Sequence, residues 1–152
     1  MKILMIGPDF SVVGGMTSLN RMIMEEKSEQ FTVRYSPSMN TRSLIGRVVL
    51  WGKNLVSAPI IRITNHPDIV HIHVSSGLSI WRKTSIGNLW SILGVPVVYH
   101  THGSKIKDFI NKSSRISRHI IGRRFRRARL VVTLSEGWRD WYSETLGLDI
   151  EK

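Results

Sequence analysis

Residues 95–104, VPVVYHTHGS, join a β-branched run to an abrupt polar end of two histidines, a glycine and a serine. Val95, Val97 and Val98 suit a buried strand, and Pro96 stands near its start, where a missing N–H costs little. In open parallel α/β sheets ligands bind beyond the carboxyl ends of the strands, so a strand that gathers its polar residues at that end aims them into such a crevice. His102 is therefore the first candidate for contact with a substrate, with Gly103 beside it.

The same alternation runs through the chain. Residues 2–6 are a short apolar run stopped by Gly7 and Pro8, as expected of a buried strand. After a loop over 7–15, Leu19, Met22 and Ile23 fall at helical spacing, which predicts a helix over 16–27 closed by Glu25, Glu26 and Lys27. Gly14 and Gly15 precede that helix, whose free N–H groups would welcome a phosphate; a tight turn explains the pair equally well. The loop matches neither the dinucleotide fingerprint GxGxxG nor the P-loop, which argues against an NAD enzyme and a P-loop NTPase. Residues 31–36 alternate as a second strand near an edge, 37–41 are a loop, and 43–64 read as one helix bent near Pro59. DIVHIHV, residues 68–74, is a third strand announced by Pro67. Ser75, Ser76 and Gly77 then lead into a helix over 78–93, which Gly94 ends. Residues 129–134 form a further strand, and Ser135 is an N-cap for a helix carrying Trp138, Trp141, Tyr142 and Leu146 up to Gly147. Repeated strand, helix, glycine and strand predict a Rossmann-like, doubly wound parallel sheet with helices on both faces.

Side chains alternate along a strand, so Ile69, His71 and His73 share one face, and His73 ends its strand as His102 ends the next. Paired HxH motifs at strand ends can hold zinc or another divalent ion, which would make metal-dependent hydrolysis a rival chemistry. No carboxylate lies immediately beside either pair, however, and neutral imidazoles at strand ends often bond only to backbone. No metal is expected. His71 and His100, deeper in their strands, are expected to be satisfied core residues.

With 152 residues, 41% of them hydrophobic, the chain can build one domain with a sizeable core. It contains no cysteine, which excludes a disulfide framework and thiolate metal sites and fits a reducing, cytoplasmic setting. The apolar run at 2–6 is too short for a signal peptide. Residues 44–63 are broken by Arg47, Lys53, Pro59 and Arg62 and so make a poor membrane span, though an interfacial role stays open. The formal charge of +11 calls for anionic partners. Residues 112–127 concentrate that charge in Lys112, Arg115, Arg118, Arg123, Arg124, Arg126 and Arg127, without one acid. With Ile116, Ile120, Ile121 and Phe125 at helical spacing, they predict one basic amphipathic helix. It is either a solvated face or a surface covered by an anionic membrane, at about 1 kcal/mol per basic residue near the bilayer. Nucleic acid would satisfy the same charges, but no helix-turn-helix, zinc-finger or RNA-recognition signature accompanies them.

Taken in order, KILMIG, VGGM, PDIVHIHVSS, VPVVYHTHGS and ARLVVTLSEGWRDWYSETLG resemble the amino-terminal half of a GT-B glycosyltransferase of the family 4, glycogen-synthase-like, retaining kind. The resemblance covers almost the whole chain. It implies two facing Rossmann-like domains, an acceptor-side one and one for the nucleotide-sugar donor, with catalysis between them and neither metal nor cofactor. It also implies that Gly14 and Gly15 approach the donor phosphates and reacting sugar, that His102, with Gly103 next to it, lines the site near the transferred sugar, and that Ser135 follows the strand before the interdomain crossing. The family's donor-binding domain, with its basic residues and spaced glutamates, is missing from these residues. Residues 1–147 are thus expected to be the acceptor-side domain and 148–152 the start of the crossing, in a fragment, a truncated product or a split-enzyme subunit with little activity alone. The expected activity of the whole is transfer of a sugar to an acceptor hydroxyl on a lipid-linked or cell-envelope glycan, at the cytoplasmic face of a membrane. The alternative, from another class, is a non-catalytic basic module that docks on anionic membrane or nucleic acid.

Overall fold

β-branched runs become parallel strands, and the amphipathic stretches between them become the crossover helices that parallel pairing requires. A computed structural model of the chain describes residues 1–26, 28–40, 43–103 and 105–149. The order is β1 (Lys2–Pro8), α1 (Gly15–Glu25), β2 (Thr32–Met39), α2 (Leu44–Asn65), β3 (Ile69–Val74), α3 (Leu78–Ile92), β4 (Val97–Thr101), α4 (Lys105–Lys112), α5 (Arg115–Arg126), β5 (Leu130–Val132) and α6 (Glu136–Leu146). The strands form one sheet in the order β2-β1-β3-β4-β5, every pair parallel. This is the predicted Rossmann-like, doubly wound sheet, half of a GT-B fold. Lys27, Thr41, Ser104 and residues 150–152 of the expected crossing lie outside the described residues.

The register sorts side chains onto two faces. Ile6, Ile72 and Tyr99 form one row, and on the same face Leu4, Val70, Val74 and Val97 complete a fully buried apolar layer. α3 lies directly on it: a Cβ at Gly87 would come within 2.2 Å of the Tyr99 hydroxyl oxygen, so only glycine lets helix and strand approach this closely. Phe125 of α5 packs on Tyr99, and α2 is tied to α3 by the Trp51 indole N–H donating to Ser85 Oγ at 2.8 Å. The other face carries Met5, His71 and Val98 in one row and His73, His100 and Val132 in the next. α1 sits on that face over β1 and β2, where Asn20 Nδ2 donates to the Tyr35 hydroxyl at 2.9 Å. Helices therefore cover both faces.

Several boundaries differ from expectation for identifiable reasons. β2 continues through Pro37 to Met39, because at a sheet edge a proline forfeits no ladder bond, and the register shifts opposite Gly7 and Pro8. The basic stretch 112–127 is not one helix. Lys112 ends α4, and Ser114 restarts the chain as a cap whose Oγ accepts the Ser117 N–H at 3.2 Å. α2 has the predicted length and carries Pro59 internally, but its outward side is apolar: Ile45, Val48, Val49, Val56, Ile60 and Ile63 are all exposed. By length and composition α2 is apolar enough to cross a membrane, yet it packs on β2 and α3, where Ala58 is fully buried and Asn54 Nδ2 donates to Pro37 O at 3.0 Å.

Candidate functional site

The carboxyl ends of the strands hold a stack of four imidazoles. Each HxH motif places both rings on the same face, and the β3–β4 register sets His73 opposite His100. Ring centroids are 4.7 Å apart for His71 and His73, 4.2 Å for His100 and His102, and 5.1 Å for His73 and His102. His73 is wholly buried, and its Nδ1 lies 2.8 Å from His102 Nε2. Its Nε2 is buried without a partner among the described residues. An orphaned lone pair costs less than an orphaned N–H, so Nδ1 of His73 carries the proton and donates to His102 Nε2. In the neutral His102 ring Nδ1 then carries the proton, a donor available at the rim. The His102 backbone N–H donates to Val74 O at 2.8 Å, which fixes the ring's base.

Burial first, and then crowding by one another, holds these rings neutral. His73 is pushed down to about 2, by burial and then by His71, His102, His100 and Lys83. His71 falls to about 4 through burial and His100, and His102 to about 4 through burial, His100, Lys83 and His71. Burial also lowers His100. His71 Nε2, like His73 Nε2, has no partner among the described residues, so His71 is not the satisfied core residue its depth suggests. The ligand atoms of His71, His73 and His100 lie within 4.8 Å of one another. A tetrahedral ion bound at about 2.0–2.1 Å needs them closer, roughly 3.3 Å apart. As arranged, the cluster is suited to hydrogen bonding at the rim more than to coordination.

Beside the imidazoles, a cavity of about 330 Å³ opens where β1 and β3 send their helices to opposite faces, the switch point of the sheet. Pro8, Met39, Arg47, Ser75, Ser76, Gly77, Arg82 and Lys83 are among its lining residues. Lys83 is 4% exposed, and burial followed by Arg82 pushes its ammonium down to about 7. Arg82 donates from Nη1 to Ser38 O and Arg47 O, both at 3.3 Å. The sequence reading missed these cations. A signal was present: Lys83 shares the inward stripe of α3 with Ile80, Gly87 and Trp90, a position where an apolar residue is expected.

A model of Glycosyltransferase Family 4 matches residues 24–152. The chain belongs to Glycosyltransferase Family 4. Comparison with curated proteins finds no match. The family match begins inside α1 and takes in every histidine of the stack, Lys83 and Ser135, whereas Gly14 and Gly15 precede it.

The other predicted site residues divide. Gly14 and Gly15 stand exposed at the start of α1, on the same rim of the family 4 domain as His102 and separated from it by β3. Gly103 adopts φ +93, which lets the chain turn out of β4 immediately after His102. Ser135 is the N-cap residue of α6 at the same rim, but its side chain makes no capping bond, and it sits at the far edge beyond β5. The seven cations of 112–127 do not act alike. Arg124 turns inward, 5.4 Å over the Trp81 ring and 3.3 Å from Thr84 Oγ1; Arg126 bonds Leu146 O, and Arg127 bonds Asn88 Oδ1. Lys112, Arg115 and Arg123 are exposed and Arg118 is half-buried.

Proposed function

We propose that this chain is the acceptor-side domain, residues 1–147, of a family 4 enzyme that moves a sugar from a nucleotide-sugar to an acceptor hydroxyl, with a donor-binding domain packed across the rim. In this reading His102 Nδ1–H bonds to the transferred sugar or the acceptor, and the N–H groups at Gly14 and Gly15 stabilise charge on the departing diphosphate. The residues from 148 onward lead toward the donor side, and turnover requires that side. The observation that carries the reading is the common rim: an imidazole held neutral by burial and oriented by His73, on the same rim as a glycine-led helix N-terminus across β3, in a chain of this family. The acceptor is a lipid-linked or cell-envelope glycan precursor, met at the cytoplasmic face of an anionic membrane. Two features support the membrane part: the exposed cations Lys112, Arg115 and Arg123, and the aliphatic side of α2.

The experiment measures sugar transfer and vesicle binding by the chain together with a donor-binding domain. His102→Ala abolishes transfer and spares vesicle binding, whereas Arg115→Glu with Arg123→Glu weakens vesicle binding. Unchanged transfer in His102→Ala, with only the charge reversals having an effect, would favour the non-catalytic docking module instead.

A further inference from the structure

We propose that the switch-point cavity, with Lys83 and Arg82 in its wall, binds the phosphoryl group of the acceptor, which makes that acceptor a phosphate ester. The inference rests on the transferase reading and names the substrate class of the same site. A lysine only 4% exposed carries its charge at a cost unless an anion compensates it, and among the described residues no hydrogen bond or ion pair engages Lys83. Its neighbour has the same deficit, since Arg82 Nε is buried without a partner while Nη1 is anchored to two carbonyls. Anchoring holds the guanidinium in place and leaves part of its donor set for a ligand.

The surroundings complete an anion site. Gly77, at φ +68, turns β3 into the N-terminus of α3, and Ser75, Ser76 and Ser79 line the same space with hydroxyls. The first turn of α3 carries no acid, so nothing there offsets the positive end of the helix dipole. About 330 Å³ is enough for a phosphoryl group and the first part of whatever it is esterified to. Burial, and then Arg82, lower Lys83 to about 7; the attraction of a bound phosphate for the ammonium would favour the charged form against both. The apolar side chains of Leu44 and Leu78 are exposed at the lining, where the non-phosphate part of the ester can rest. Two sources share this chemistry, a lipid phosphate and a soluble phosphate ester.

The test is calorimetric titration of the chain with inorganic phosphate, followed by flotation with phosphatidylcholine vesicles that contain or lack phosphatidic acid. Saturable phosphate binding is expected, weakened about tenfold or more by Lys83→Met and by Arg82→Gln, as befits lost charge-assisted hydrogen bonds. Lys83→Met removes a buried charge and is expected to fold; Arg82→Gln, at a half-buried position, is the second variant. Arg129→Gln, which removes one charge at the opposite end of the sheet, leaves phosphate affinity unchanged. Phosphatidic acid vesicles that phosphate displaces assign the lipid source; vesicles that fail to compete assign the soluble ester. Phosphate affinity equal in wild type, Lys83→Met and Arg82→Gln overturns the proposal and leaves the transferase reading standing. That reading fails separately, through unchanged transfer in His102→Ala.

Discussion

The two faces of the sheet are made from the same strands, one residue out of step, and they have opposite chemistry. On one, Leu4, Ile6, Val70, Ile72, Val74 and Tyr99 are at most 2% exposed beneath α2, α3 and α5. On the other, α1 covers β1 and β2, while His71, His100, Val98 and Val132 are half-buried and Leu130 is 40% exposed. The first face is where stability is concentrated. The second can afford four imidazoles because it is less completely covered, and the same incompleteness makes its rim accessible to a ligand.

The sharpest way to break this contrast is to truncate an aliphatic side chain on each side. Ile72→Ala, beneath the helices, should cost about 2–5 kcal/mol in denaturant unfolding, because the hole cannot collapse. Similar losses from Ile72→Ala and Val98→Ala would show that the two faces are packed alike. Next in size, Lys83→Met should stabilise the fold by about 1–4 kcal/mol, since Lys83 is buried with no ion pair among the described residues. The expected observation is a higher unfolding midpoint together with weaker phosphate binding; a lower midpoint would mean that Lys83 has a structural partner.

The imidazole face also predicts a pH dependence. His71 and His102 have folded values near 4 against 6.5 when unfolded, so between those values the unfolded chain takes up protons that the folded chain refuses. Their contribution is complete above pH 6.5 and is lost as pH falls toward 4, by roughly 1 kcal/mol or more per ring at the lower end. Unfolding followed across that range checks this, and His71→Phe should flatten the slope. Smallest of all, Leu130→Thr on the partly covered edge should change stability by within about 0.5 kcal/mol.

The five strands and their parallel, doubly wound class were legible in the sequence because each buried run stops at a glycine, proline or serine and is followed by a helical period. The facing of His71, His73, His100 and His102 followed from alternation alone. Other features depended on tertiary contacts. The restart at Ser114 had a local signal, a capping serine, hidden within the run of cations, but nothing local says that Arg124, Arg126 and Arg127 turn to Trp81, Leu146 and Asn88. The cationic cavity was hidden for another reason: Arg47, Arg82 and Lys83 lie on two helices far apart in sequence and meet only when α2 and α3 pack side by side. Lys83 was the visible clue, a charge on an apolar stripe.

The central claim is that the neutral, His73-oriented imidazole of His102 works at the reacting centre. Initial rates of labelled sugar transfer from a nucleotide-sugar, by the chain completed with a donor-binding domain, test it directly when wild type is compared with His102→Ala. The account predicts that kcat falls about a hundredfold or more while the unfolding midpoint stays near that of wild type. An unchanged kcat in the folded variant would contradict it.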